Sequence, residues 1–184
     1  MKPRPIFSLL AATVVLALAV GLLRADEKAH KLTTVSTRKM ADSLHAIIAA
    51  DQRAYAELVA KSQGAAAERL PTHAQQLRQA AQAIQKKGAE FSYTLRSLTP
   101  INPNNGPQSD VEQTGLDFVA QHPEENYYRE EELGGRSYFT AVYAERATLA
   151  SCVECHNQHA GSPRRDWKAG DVMGAVVVRV PLEF

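Results

Sequence analysis

The sequence predicts an α+β domain, a mostly antiparallel sheet with flanking helices, led by one long N-terminal helix. Three observations predict it. Residues 26–63 hold no proline or glycine, two alternating runs flank Gly134-Gly135, and a valine-rich run closes the chain with no parallel β-α-β unit before it. At 184 residues the chain suits one domain with a real core.

Lys2 and Arg4 precede residues 6–23, which carry no charge. A basic start followed by an apolar stretch is the pattern of an export signal. Ala17-Leu18-Ala19 offers a small-residue cleavage site and Leu23-Arg24-Ala25 a second. Uncleaved, the same stretch would be a membrane anchor at the short end of what spans a bilayer. Either way residues 1–25 are a signal peptide or anchor, and the folded part is expected in the periplasm. Without Lys2, Arg4 and Arg24 the chain has 18 basic and 20 acidic residues, a net charge of −2. No basic stripe is present, so nucleic-acid binding is set aside.

In residues 26–63, Leu44, Ile48, Asp51, Tyr55, Leu58 and Ser62 recur at spacings of four and three, one face of a helix. At 1.5 Å per residue such a helix is roughly 55 Å long. Its first half is therefore expected to be a stalk or a homodimerisation segment, and part of the rest to join the core of a domain over 64–184. Gly64 ends it. Pro71 and Thr72 open a second helix, "THAQQLRQAAQAIQKK", with Gly88 as its C-cap. In "EFSYTLRSL", Phe91, Tyr93 and Leu95 point one way and Ser92, Thr94 and Arg96 the other, a half-buried strand. "TPINPNNGPQSD" is a loop whose Ser109 or Asp110 caps a helix over about 110–121. "NYYREEEL", Gly134-Gly135 and "RSYFTAVYAERA" read as a hairpin. "DVMGAVVVRVPL" gives the closing strand, with Val172, Val176, Val178 and Val180 on one face.

Both cysteines lie in "SCVECHNQHA", residues 151–160. A disulfide between Cys152 and Cys155 would close a very small loop, stabilise weakly and leave the histidine unexplained. A redox dithiol calls for a helix N-terminus in a thioredoxin-like β-α-β unit, which the element order does not offer. Zinc would draw on Cys152, Cys155, His156 and His159, but four tetrahedral bonds within eight residues strain the backbone. Haem c accounts for every position. The cysteine sulfurs sit about one helical turn apart, as two thioethers to one haem edge require, and His156 follows as the proximal iron ligand. Attachment after export agrees with the signal.

"FSYTLRSLTPINPNNGP", "EELGGRSYFTAVYAERA" and "CVECHNQHAGSPRRDWKAGDVMGAVVVRVPL" resemble, in order, the bacterial family of PAS-like c-type haem domains. That family occurs as free-standing exported proteins and as periplasmic sensor domains, and the resemblance covers roughly residues 40–182. It implies a PAS-like antiparallel sheet cradling one covalent haem, with the long helix running along the pocket and able to present a second axial ligand, here His45. Met173 is the alternative, its thioether raising the reduction potential, and an open position the third outcome. His159 sits on the same segment as His156. His73 and His122 read as helix-end surface residues, and His30 lies far up the long helix. Tyr55, Tyr93 and Tyr143 are candidates to line the pocket, against ordinary core packing. Arg164 and Arg165 are candidates to pair with haem propionates, against a solvated loop.

The expected function is redox or small-ligand sensing without catalysis. An electron carrier for a respiratory partner is the alternative, and a zinc-holding structural module the third. The chain shows no output domain before Phe184, so a sensor would work through a redox partner or a membrane sensor protein. Glu130, Glu131 and Glu132 form an acidic run of the kind that faces solvent, and no nucleophile-base pair suggests an enzyme.

Overall fold

The architecture was obtained as a computed structural model that describes residues 6–62 and 70–182, with side chains from residue 21 onward. The first helix, α1, spans Ile6–Lys61. It runs through two compact units, one reaching to Ser36 and one beginning at Thr37 and holding the rest of the chain. Among the described residues no helix is long and apolar enough to cross a membrane. Lys2, Arg4 and the predicted stop at Gly64 lie outside the described residues.

Within the second unit, α1 buries Ala41, Ile48 and Gln52 and half-buries Leu44 and Tyr55. Leu58, read from sequence as part of the same stripe, is 54 % exposed. The buried face turns instead through Gln52 toward half-buried Val59.

Helix α2 spans His73–Lys86 and starts where Thr72 and Gln75 form a reciprocal capping box. At its end the Gly88 N–H donates to the Gln85 carbonyl and the Ala89 N–H to the Ile84 carbonyl. This Schellman closure needs the positive φ of +79° that Gly88 adopts. Strand β1 follows at Ser92–Arg96. A 3-10 turn, Pro103–Asn105, breaks the loop, and the Ser109 hydroxyl accepts from the Glu112 N–H to cap helix α3, Asp110–Gln121. Strands β2, Tyr127–Leu133, and β3, Arg136–Arg146, form the hairpin. Gly134 and Gly135 both have positive φ, 61° and 77°, as a type I′ turn requires. Helix α4, Ala150–Gln158, carries the cysteines, and strand β4 is Val172–Pro181.

The sheet has the order β1-β4-β3-β2, and each neighbouring pair is antiparallel. The α+β class is thus as the sequence predicts. The two faces of the sheet bury different things. One packs Tyr93, Phe139, Ala141, Tyr143, Val176, Val178 and Val180 against α1 and α2. The other packs Val142, Ala175 and Val177 against Leu116 and Val119 of α3. Val172 was expected on the first face and does not join it. Between Glu145 and Arg146 the register shifts, so Arg146 pairs with Val172 rather than Met173, and the alternation reverses.

The α3 face also holds a charge network. Glu112, with no exposure, lies 3.0 Å from Arg96 Nε and 2.8 Å from Arg179 Nη1. Arg179 Nε meets Glu131 Oε1 at 2.8 Å, and Glu131 also accepts from the hydroxyls of Thr140 and Ser109. Those bonds and Arg179 hold the Glu131 carboxyl below its ordinary value, against the upward pull of burial.

Candidate functional site

The segment between β3 and β4 is pinned at its base. The Ala147 N–H donates to Asp171 O and the Gly170 N–H to Ala147 O, each at 2.9 Å. From this base rises α4, with Leu149 at its N-cap making no side-chain capping bond. Cys152 is half-buried and Cys155 exposed, and both are free thiols. Their i, i+3 spacing places them on one side of the helix. Burial pushes the Cys152 thiol up, and the charges of Glu145 and Cys155 add to the shift. An activated redox thiolate would show the opposite direction.

The half-buried His156 imidazole meets the Trp167 ring edge-on, with centroids 6.4 Å apart and planes at 87°. Burial, and then the neighbouring His159, hold its pKa below the ordinary histidine value, so the ring is neutral and able to ligate. Asn157 fixes α4 to the following loop: its Nδ2 donates to Trp167 O at 3.0 Å and its Oδ1 accepts from the Trp167 N–H at 2.9 Å. The guanidinium of Arg164 lies 4.0 Å over the Trp167 ring. It also pairs with Asp166 at 2.7 Å and Asp171 at 2.9 Å, so its donors are drawn into the loop itself. Arg165 is exposed and donates to Ala160 O at 2.9 Å. Trp167 Nε1 is buried with no hydrogen-bond partner among the described residues, whereas a buried indole N–H usually finds one.

His45 lies on the part of α1 that packs on the sheet. Its imidazole stacks on the ring of Tyr143, centroids 3.9 Å apart and planes within 3°. Tyr143 is 1 % exposed, and its hydroxyl donates to Asp42 Oδ1 at 2.8 Å. The Tyr128 hydroxyl donates to the same oxygen at 2.7 Å, with Arg38 stacked 4.0 Å over the Tyr128 ring. Burial and the Asp42 carboxylate push the Tyr143 phenol far above its usual range, so it stays protonated. Burial lowers the His45 pKa, opposed in part by Asp42.

Strand β3 connects these two clusters. Tyr143 and Glu145 are two residues apart and so share a face of the sheet. Tyr143 carries His45 on that face, and the charge of Glu145 acts on Cys152. Burial pushes the half-buried Glu145 carboxyl up to about 7.

The other sequence candidates lie elsewhere. Tyr93 is a buried core residue beside Val178, and burial raises its pKa. The Tyr55 hydroxyl donates to Pro71 O at 2.5 Å and ties α1 to the start of α2. Met173 is half-buried, and its carbonyl accepts from the Ser97 hydroxyl at 2.7 Å. His122 Nδ1 lies 3.1 Å from Phe118 O at the end of α3. His159 is exposed and accepts from the Gly161 N–H at 3.1 Å. Among the described residues no three His, Cys, Asp or Glu side chains gather into a metal cage, so the four-residue zinc set is not brought together.

Sequence reasoning missed Asp42, Tyr128, Glu145, Asn157 and Trp167. Gln52 belongs with them, since it is buried two helical turns beyond His45 with both amide atoms unpartnered among the described residues. Polar residues on the buried stripe of α1 were the signal available for Asp42 and Gln52.

A long N-terminal helix, a four-stranded antiparallel sheet and flanking helices define the class of protein: an α+β sheet domain led by a helix. The chain belongs to the Tll0287-like family, which matches residues 23–181. The crystal structure of the cyanobacterial heme-protein Tll0287 is similar to it, with a TM-score of 0.50 at 15 % identity. That likeness covers 76 % of this chain and 95 % of that one, and it shows the fold. No curated protein matches the chain.

Proposed function

We propose that this chain is a periplasmic haem protein of PAS-like type that carries one haem c. Cys152 and Cys155 would form its thioethers, with His156 as proximal ligand and His45 as the second axial ligand. The observation that carries the reading is two free cysteines and a half-buried imidazole on α4, linked through β3, where the Glu145 charge acts on Cys152, to a second imidazole stacked on Tyr143. Neither His45 nor His156 has a hydrogen bond to a ring nitrogen among the described residues, so both are free to ligate. The orphaned Trp167 Nε1 beside His156 also fits, because a haem propionate would supply the missing acceptor. That Tll0287 is a heme-protein of the same fold adds support.

When bound, haem supplies one-electron exchange at iron. The chain's own part is to orient and enclose. Asn157 holds α4 and its histidine against the Trp167 loop. Tyr143 and Val176 wall the site face of the sheet. Were both imidazoles to hold the iron, no position would stand open to a gas, and the role we assign is redox sensing through a partner protein, without catalysis. Electron transfer is the second reading, favoured by the exposure of Cys155, which would leave a haem edge open to a redox partner. Export through the N-terminal segment belongs to the same proposal.

Protein matured with haem-attachment machinery should show a Soret band that survives denaturing extraction and a gain of one haem mass. The Cys152→Ala, Cys155→Ala double variant should lose both. A full-length protein without covalent haem would end the reading. With two imidazole ligands the ferrous protein is expected to take up carbon monoxide only slowly, as His45 gives way, and an adduct formed at once would refute His45 as a ligand.

A further inference from the structure

We propose that Asp42 and Tyr143 are positioning residues for His45, fixing the plane in which its imidazole is offered to the iron. The inference rests on the reading of His45 as an axial ligand. Asp42 and His45 are three residues apart on α1 and so lie on one side of it. Tyr143 on β3 reaches both at once. Its ring lies flat on the imidazole at 3.9 Å, and its hydroxyl donates to Asp42 Oδ1 at 2.8 Å. Helix and strand are therefore joined by a closed triangle of ring stack, hydrogen bond and helix backbone.

The ring torsion of a histidine is broad and would let the imidazole turn. A parallel ring against one face blocks that turn and leaves the nitrogen edge free. The Tyr143 ring cannot slip, because it is 1 % exposed and tied at its hydroxyl. Asp42 is held in turn: Tyr128 donates to the same oxygen at 2.7 Å, and Arg38 stacks on the Tyr128 ring. Ligation would thus find the imidazole already in its plane, which is the function of a supporting shell around a metal ligand.

The test uses full-length holoprotein and four variants. Tyr143→Leu removes the stack. It is expected to convert part of the ferric iron to high spin and to speed carbon monoxide binding to the ferrous form about tenfold, the ratio that loss of one aromatic pair gives. Tyr143→Phe keeps the ring and should restore the low-spin fraction. Asp42→Asn and Tyr143→Phe both weaken the hydroxyl tie and should shift the largest g value of the low-spin signal, which reports imidazole orientation. A mere packing role would lower thermal stability and leave g values and carbon monoxide kinetics as in the unaltered protein. That result, in a protein whose His45→Ala variant is high-spin, overturns the inference. If Tyr143→Leu does not fold, unmoved g values in the other two variants overturn it alone. A His45→Ala variant with an unaltered spectrum refutes the ligand reading itself, and with it the inference.

Discussion

Replacing Glu112 by Gln tests whether the charge network on the α3 face holds the domain together. Glu112 has no exposure and sits between Arg96 at 3.0 Å and Arg179 at 2.8 Å, both with side chains only 13–14 % exposed. It also accepts the Gln108 N–H at 2.6 Å, closing the turn before α3. Removing one partner of a buried ion pair costs about 3–5 kcal/mol. The low end applies here, because Arg179 keeps Glu131 at 2.8 Å, and the group left unpaired is Arg96. A loss of about 3 kcal/mol is a large part of the roughly 5–15 kcal/mol that stabilises a domain. Urea unfolding should show the midpoint falling by about 1–2 M with the slope unchanged. Adding Arg96→Met should recover most of the loss, since the orphaned cation is then gone. With haem bound as proposed, its spectrum should not move, because the network lies on the opposite face of the sheet from Tyr143 and His45. A midpoint shift worth under about 1 kcal/mol would refute the reasoning, meaning that water reaches Arg96 and the pair contributes as little as a surface one.

Other variants probe the site and its supports. His45→Ala should turn a low-spin ferric spectrum high-spin, read by optical spectroscopy. Glu145, held near 7 by burial against 4.5 when exposed, destabilises the fold as pH rises, because the unfolded state ionises first. Stability should thus fall between about pH 4.5 and 7, and Glu145→Gln should gain at most about 3 kcal/mol at pH 7.5 and little at pH 4 in urea titrations. Asn157→Ala leaves the Trp167 N–H without its acceptor and should cost about 1–3 kcal/mol by the same measurement. Thr72→Ala breaks the capping box of α2 and should lower stability by about 1 kcal/mol, seen as a drop in Tm of a few degrees.

The elements of the fold were legible wherever local chemistry sets them. Ser109 and Thr72 are side-chain caps, Gly88 and Gly134-Gly135 supply positive φ, and each marks its boundary within the sequence itself. What failed was set by tertiary contact. Leu58 obeys the helical spacing, but exposure depends on what lies opposite, which no spacing encodes. Val172 obeys the strand alternation, but a register shift opposite Glu145 and Arg146 reverses it. The bulge needs two strands to exist, so one strand's pattern cannot disclose it.

The site divides along the same line. Cys152, Cys155 and His156 are local, within five residues of one short helix, and their spacing alone names the chemistry that could use them. His45 is 107 residues away from Cys152 along the chain, and nothing in α1 distinguishes it from an exposed helix residue. What distinguishes it is the Tyr143 ring, a residue read from sequence as ordinary core or pocket lining. Tyr143 is both at once: it fills the core with its ring, and its hydroxyl and upper face organise Asp42 and His45. A strand that alternates Ala141, Tyr143 and Glu145 on one face therefore runs from core packing to the ring stacked on His45 to a carboxyl whose charge acts on Cys152. The half-buried carboxyl shifts toward its neutral form because that form costs less to bury than the charged one.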